Sequence, residues 1–397
     1  MRVAVVGGGT AGASAALLLA RDGHQVQVFE RVAEPRGIGA GILLQPLGQQ
    51  ILLELGLADE LERCSTPVRR IDARTATGRR VLDFGYDDVL RGTYGWGVSR
   101  AELFQLLWAA VLRSGIPVRT GADIRTLTVD SDGYGLQTTD HEPLGSFDLV
   151  IGADGARSRL RRLSGLARKD VGYPWGALWC MVPDPDRIAG DVLHQRYDGT
   201  RIILGVLPTG IDQASIFWSV RSRDLQPALA ASASTLARAA RPYAGPFAPL
   251  LERIREGTIL SARYRDVVVR SPVLVRNGRG LVLVGDAAHA MSPQLGLGAS
   301  LALADAWSLA ACLRAQPDDL PVALRAHASS RRAHVRWYTW CSRLMTPVFQ
   351  SDLVPMAWPR DLLFEPIGRI PWVRRQFVTT LLGARTSPWT EWHPPPA

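Results

Sequence analysis

Lysine is almost absent from this chain. Of 46 basic residues in 397, Lys169 is the one lysine and the others are arginines. The formal charge of +9 and the pI of about 9.9 therefore rest on arginine. So uniform a bias points to coding composition more than to a nucleic-acid surface, and the densest basic stretch, Arg157 to Lys169, is short. No nucleic-acid partner is expected. Cysteine is scarce too: Cys64, Cys180, Cys312 and Cys341 lie far apart with no CxxC spacing. That excludes a disulfide framework and leaves reduced thiols in a cytoplasmic protein as the expectation. Long apolar runs are missing. Ala11 to Ala20 imitates a signal peptide, but it follows a strand and a glycine turn and lacks a cleavage site. No run reaches the length of a membrane span. A chain of 397 residues allows two or three domains and needs no metal or disulfide staple to hold a core.

What is present begins at the first residues. Val3-Ala4-Val5-Val6 reads as a short buried strand, Ala13 to Arg21 as a helix stopped by Asp22-Gly23, and Gln25 to Phe29 as a second strand ending on Glu30. Between strand and helix stands Gly7-x-Gly9-x-x-Gly12. Gly7 permits the sharp turn, Gly9 lets a pyrophosphate approach the backbone, and Gly12 lets the helix pack on the sheet. The helix start, with Thr10 and Ala11, presents free N–H groups and partial positive charge to phosphates. Glu30, followed by Arg31, can accept hydrogen bonds from an adenosine ribose. This unit predicts dinucleotide binding without saying which dinucleotide.

Further along, Gly37, Gly39 and Gly41 punctuate a strand-like segment ending at Leu44, which suits either close approach of a ligand or a plain loop. Leu47 to Leu57 has helical periodicity. Val68 to Val98 turns strand-like, and Ser99 with Glu102 reads as a capping box opening a helix with Leu103, Leu107 and Val111 on its buried face. Ile124 to Val129 and Gly135 to Thr139 suggest an antiparallel pair across Asp132-Gly133. A strand at Asp148–Ile151 runs into Gly152-Ala153-Asp154-Gly155. Alternation over 172–269 predicts a second, mostly antiparallel sheet holding Val192 to Tyr197, Arg201 to Val206 and Ser215 to Val220, with a helical stretch from Leu225 to Ile259. Leu281 to Val284 restores a buried strand before Gly285-Asp286-Ala287-Ala288-His289. Ser300 to Leu313 is a long helix, and an Arg- and Trp-rich helical tail starts at Ala323. The interleaving argues for two discontinuous lobes sharing one cleft.

Three signals in this order, the first glycine motif with Glu30, Gly152-Ala153-Asp154-Gly155-x-x-Ser158-x-x-Arg161, and Gly285 to His289 with Pro293 and Gly296-x-Gly298, resemble the single-component flavin-dependent aromatic hydroxylases. These are the family of para-hydroxybenzoate hydroxylase, salicylate hydroxylase and the ubiquinone-biosynthesis hydroxylases, and the resemblance spans residues 1–345. It implies an α/β fold: a Rossmann-like FAD-binding domain of the glutathione-reductase type over 1–71, 99–171 and 270–330. A β-sheet substrate domain would cover 72–98 and 172–269, and a C-terminal helical tail 331–397. FAD is the implied cofactor, with NADH or NADPH visiting the same cleft as reductant. By the resemblance Arg36, Gly39, Ala40 and Gly41 pass beside the flavin, with Gln45 following. Arg100 reaches the pyrophosphate, and Asp154 with Gly155 serves FAD and NAD(P)H. Gly285 and Asp286 anchor the ribityl chain, Pro293 lies by the ring, and Gly296, Leu297, Gly298 and Ala299 start a helix facing the flavin pyrimidine. Ser300 departs from the family's usual Asn, and His289 is expected to be structural.

The implied chemistry is reduction of FAD by NAD(P)H, addition of O2 at flavin C4a to give a hydroperoxide, and transfer of its distal oxygen to an electron-rich aromatic or related apolar molecule. The chain shows no Ser-His-Asp set and no metal cluster, and this chemistry needs neither. Substrate-side candidates are His194, Arg196, Tyr197 and Trp218, of which alternation lets only some face the cleft. Other readings remain: a flavin reductase or dehydrogenase of isoprenoid or polyketide substrates, a non-catalytic FAD-binding protein, or a halogenase. For the last, Lys169, Trp175 and Trp179 do not match the pattern required. Pro371 to Leu382 repeats apolar residues at Val373, Phe377 and Leu381 between arginines. Docking of this helix on the body or a dimer partner is expected, with peripheral membrane contact as the alternative. The protein would be a monomer or homodimer.

Overall fold

The computed structural model describes residues 1–130 and 132–393. The continuous apolar runs become the middle of a six-stranded sheet in the order Val273–Arg276, Arg279–Leu283, Leu149–Gly152, Arg2–Val6, Gln25–Phe29 and Val118–Arg119. All neighbours are parallel except the edge strand Val273–Arg276. Strands of this kind must be covered on both faces, which explains why they do not alternate. Val3 and Val5 pack under the helices Thr10–Arg21, Arg100–Arg113 and Gly298–Ala315. Ala4 and Val6 pack on the other side with Phe29, Ile124, Tyr134 and Phe147. Ile124, Tyr134 and Phe147 come from a three-stranded sheet that contains the expected pair, Ile124–Val129 with Tyr134–Thr138, and adds Pro143–Phe147. Ser99 caps its helix, its Oγ accepting from Ala101 N at 3.2 Å, but Glu102 makes no reciprocal bond among the described residues.

A seven-stranded sheet forms the second layer, in the order Leu260–Val269, Ala167–Pro183, Gln213–Arg221, Ile202–Pro208, Val192–Asp198, Arg70–Thr75 and Arg80–Gly85. It is antiparallel apart from the pairing of Val192–Asp198 with Arg70–Thr75. Arg70 and Ile71 thus belong to this sheet. The stretch read as one helical region from Leu225 to Ile259 divides into Leu225–Ala230, Ala233–Ala244 and Ala248–Leu251, and these cover one face of the sheet. The other face meets a small bridging sheet of Gly41–Leu44, Gly95–Ser99 and Thr66–Val68, where Gly41 N donates to Ser215 Oγ at 2.9 Å.

The tail folds as Leu320–Phe349, Ala357–Gly368 and Pro371–Leu381. The last helix docks on the body: Val378 and Leu381 are buried, Phe377 stacks on Phe84 at 6.3 Å, and Arg374 pairs with Asp88 at 3.1 Å. Among the described residues no helix is long and apolar enough to cross a membrane. All four cysteines are unpaired.

Candidate functional site

Three motifs far apart in sequence meet at one edge. Val6 is paired with Gly152, and Gly152 with Leu283, so three adjacent parallel strands release their chains side by side into Gly7, Ala153 and Val284. The carboxyl ends of such strands are where α/β sheets bind ligands. Glycine makes the junction possible. Gly7 has φ +104°, and a Cβ there would lie 2.4 Å from Ala153 O. At Gly12 a Cβ would fall 1.9 Å from Gly7 O, and at Gly285, with φ +59°, 3.0 Å from Ala11 Cβ. Gly9 is the contrary case. It caps the helix Thr10–Arg21, and nothing lies within 4 Å of where its Cβ would stand, so the helix start opens on free space.

Gly8 carries a role the spacing did not announce. Its N–H donates to Glu30 Oε2 at 2.8 Å, while Glu30 Oε1 accepts from Val32 N at 3.0 Å. The acid therefore ties the glycine loop to the second strand, and each oxygen keeps an acceptor site for a ribose hydroxyl. A Cβ on Gly8 would stand 2.3 Å from the Trp108 ring. Beside the loop, Arg100 N donates to Ala40 O at 3.0 Å, and a Cβ on Gly39 would touch Arg100 Cβ at 2.8 Å. The segment Gly39–Gly41 is thereby pressed between the start of the Arg100 helix and Ser215 of the second sheet. Arg31 and Arg36 are exposed, and Arg36 pairs with Glu34 at 2.6 Å.

The middle motif is braced from within. Asp154 Oδ2 accepts from Arg159 N at 2.6 Å and Leu160 N at 3.1 Å, holding the start of the short helix Arg159–Leu163. Its Oδ1 is buried without a partner among the described residues. Arg161, fully buried, donates to Ala156 O, to Ala287 O and to Asp170, each at 2.8 Å, and so pins the middle motif to the third. In the third motif Asp286 is the one exposed residue in the run from Leu281 to Ala290. It opens the turn Asp286–His289.

Behind that turn lies a buried polar network that sequence reading missed. Asp305 Oδ2 accepts from Gly285 N at 2.7 Å and meets His289 Nε2 at 2.6 Å, while Oδ1 accepts from Arg331 Nε at 2.7 Å. Burial opposes charge on Asp305, but His289 and Arg331 outweigh it and hold the carboxyl far below the usual carboxylate range. His334 continues the chain, meeting Arg331 Nη1 through Nδ1 and donating from Nε2 to Gly383 O at 2.6 Å. The one clue in the sequence is Asp305 itself, the single acid in the largely apolar helix Gly298–Ala315. His289 is accordingly buried and held by Asp305. Pro293–Leu295 forms a tight turn, Gly296 closes it at φ +63°, and the helix begins at Gly298, two residues earlier than the expected Ser300. Gln45 is buried, its Oε1 accepting from Tyr86 OH at 2.6 Å.

The four substrate-side candidates do not come together. Strand register puts Arg196, Leu204, Trp218 and Leu178 in one cross-strand row, and His194, Val206, Ile216 and Cys180 in the next. Both rows lie on the face covered by the Ala233–Ala244 and Ala248–Leu251 helices, away from Gly41. There His194 packs on Phe247 at 4.5 Å and Arg196 lies over the same ring at 5.8 Å. His194 Nδ1 is also 3.8 Å from Asp72, whose carboxyl is held at about 2: burial raises it, but His194 and Arg74 more than offset that. Tyr197 points to the opposite face, buried against Phe349 with its OH donating to Gln195 Oε1 at 2.6 Å. Alternation required such a split but could not say which face meets the cleft.

The sequence pattern of the FAD binding domain family matches residues 1–339. This chain belongs to that family. A 3-amino-4-hydroxybenzoate 2-monooxygenase of Streptomyces cremeus is 30% identical over 361 residues, 83% of either chain. An FAD-dependent urate hydroxylase of Klebsiella pneumoniae is 29% identical over 380 residues, covering 93% of this chain and 96% of the relative. The structure of Klebsiella pneumoniae HpxO complexed with FAD and uric acid matches with a TM-score of 0.81 at 28% identity, covering 96% of this chain and 97% of that one. The resemblance drawn from the three motifs and the α/β fold it implied both hold, and the cofactor is FAD. The residues of this FAD-binding chain fit that cofactor: a glycine nest too tight for side chains at Gly7 and Gly12, an open helix start at Gly9, an oriented Glu30, and an exposed Asp286 at the far corner.

Proposed function

We propose that the protein is an FAD-dependent monooxygenase that uses NADH or NADPH and O2 to hydroxylate an electron-rich aromatic or related apolar molecule. The observation that carries this reading is the meeting of all three motifs at the ends of adjacent parallel strands, with a second sheet closing over Gly41. Bound flavin supplies the electron transfer and the oxygen activation. The chain supplies position, charge and dryness. The helix start at Gly9 to Gly12 and Arg100 would hold the pyrophosphate, Glu30 the adenosine ribose, and Asp286 the ribityl hydroxyls. Pro293, Gly296, Leu297, Gly298 and Ala299 would line the ring, with the helix dipole favouring negative charge at its pyrimidine edge by about 0.3–1 kcal/mol. Gly39, Ala40 and Gly41 would lie along the ring's other border. Asp154 and Gly155 would shape the cleft that NAD(P)H shares, Asp154 through the helix start it holds. Arg31 and Arg36, both exposed, would stand at its open rim. The small molecules are the only partners this reading requires.

Purified protein should be yellow, and its NAD(P)H-driven oxygen uptake should rise with a suitable aromatic compound. The product should be heavier by one oxygen. A protein that binds FAD but oxidises NAD(P)H with no oxygen uptake would sink the monooxygenase reading in favour of a reductase.

A further inference from the structure

The face of the seven-stranded sheet turned toward Gly41 has a consistent chemistry. Register sets Trp179 opposite Phe217, Met181 opposite Ser215, and Phe217 opposite Gly205. The Trp179 and Phe217 rings stack at 4.7 Å. Phe217 lies directly over Gly205, where a Cβ would come within 1.9 Å of its Cζ. Ser215, in the same face, receives the Gly41 N–H, so these rings look toward the segment expected to border the flavin. Phe217 also joins Met291, Leu295 and Leu297, which lead into the Gly298 helix start. Trp179, Met181, Phe217, Tyr264 and Met291 are half-buried, so this apolar wall is accessible in part.

Charge is what the wall lacks. From Trp175–Pro183 across to Val192–Asp198, alternation brings one charged side chain to this face, Arg221. It stands at the far end opposite Trp175 and pairs with Asp352 at 2.5 Å. On flanking elements Arg343 and Lys169 share Asp266, at 2.7 and 2.6 Å, and the buried Arg360, 4.6 Å over the Tyr197 ring, pairs with Asp361 at 2.7 Å. Burial pushes the Tyr264 phenol far up, so it remains a neutral group. A carboxylate brought against Trp179 and Phe217 would lose water and find only cations already engaged by Asp266, Asp352 or Asp361, which is costly. A neutral ring would gain stacking and area burial.

We infer that the substrate is an aromatic ring bearing no carboxylate or phosphate, seated against Trp179 and Phe217. The inference rests on the monooxygenase reading for where substrate binds, and it separates this chain from a relative named for a hydroxybenzoate. The FAD-loaded full chain, without reductant, is titrated with para-cresol and with para-hydroxybenzoate while the flavin absorbance is followed. Para-cresol should bind at least ~10-fold more tightly than para-hydroxybenzoate. Phe217→Ala should weaken para-cresol by about 2- to 12-fold. Met181→Arg, with FAD retention as its folding control, should move the preference toward para-hydroxybenzoate. Equal or tighter binding of para-hydroxybenzoate by the unaltered protein overturns the inference. So does the absence of any spectral change with either ligand in protein that holds FAD. Because no turnover is measured, either failure can occur with NAD(P)H-driven oxygen uptake intact, and the two readings fall separately.

Discussion

Two aspartates in neighbouring motifs do different work at one cleft. Asp154 spends one oxygen on the N–H groups of Arg159 and Leu160, whereas Asp286 stands exposed at a turn whose neighbours are buried. Their substitutions should therefore separate. Asp286→Ala removes a charge-assisted hydrogen bond of about 1.5–3 kcal/mol, and FAD affinity, measured by fluorescence titration, should fall roughly 10- to 150-fold with little change in melting temperature. Asp154→Ala should instead cost about 1 kcal/mol of stability through the lost helix start. Equal losses of FAD in both variants would contradict this division. Both aspartates were legible as motif members, because a chain that must turn sharply between strand and helix needs a recognisable glycine spacing. Their partners were not. Nothing local announces that Gly8 N would seek Glu30, or that Asp305 would gather Gly285, His289 and Arg331, since those contacts form only when distant elements pack.

At the level of elements, the central parallel strands were legible from their unbroken apolar runs, and the second sheet from its alternation. Which face of that sheet meets the cleft was not, because period two fixes opposite sides without naming them. The bond from Gly41 to Ser215 decides it, and it leaves His194, Arg196 and Trp218 on the far side. The first helix gives a sharp test of close packing. A Cβ on Gly12 would fall 1.9 Å from backbone oxygen of Gly7, and neither atom can move without shifting helix or loop. Gly12→Ala should cost about 1–3 kcal/mol in urea unfolding and impair FAD retention, whereas Gly9→Ala, which meets open space, should fold normally. The last helix offers a second. Leu381 is 8% exposed, while the Arg374–Asp88 pair is partly solvated. Leu381→Ala should cost about 2–5 kcal/mol and Arg374→Ala about 1 or less, both read from thermal melts. The reverse order would mean that charge, not apolar burial, docks the tail.

Across the whole molecule the same Asp305 network joins the cofactor turn to the end of the chain. Arg331 bonds Asp305 and meets His334, His334 bonds Gly383, and Trp392 stacks on the His334 ring at 5.0 Å. His327 sits in the same interior with Nδ1 3.1 Å from Ser308 Oγ. Burial holds the His327 imidazole down at about 4, and burial together with Arg331 holds His334 at about 2. An unfolded histidine titrates near 6.5, so between these values the unfolded chain binds more protons than the folded one. Stability from both histidines is thus complete above about pH 6.5 and is lost as pH falls through the folded values. The depressed Asp305 adds a further loss only below the ordinary carboxylate range. From about pH 7 to about pH 5 the two histidines should together remove on the order of 4 kcal/mol, read from urea midpoints at constant FAD, since bound FAD adds its own stabilisation. His327→Gln should fold with the lower stability of a lost core contact but show roughly half the pH slope. A wild-type midpoint that stays level over that interval, or a slope unchanged by the substitution, would mean that burial does not hold these imidazoles neutral in the folded protein.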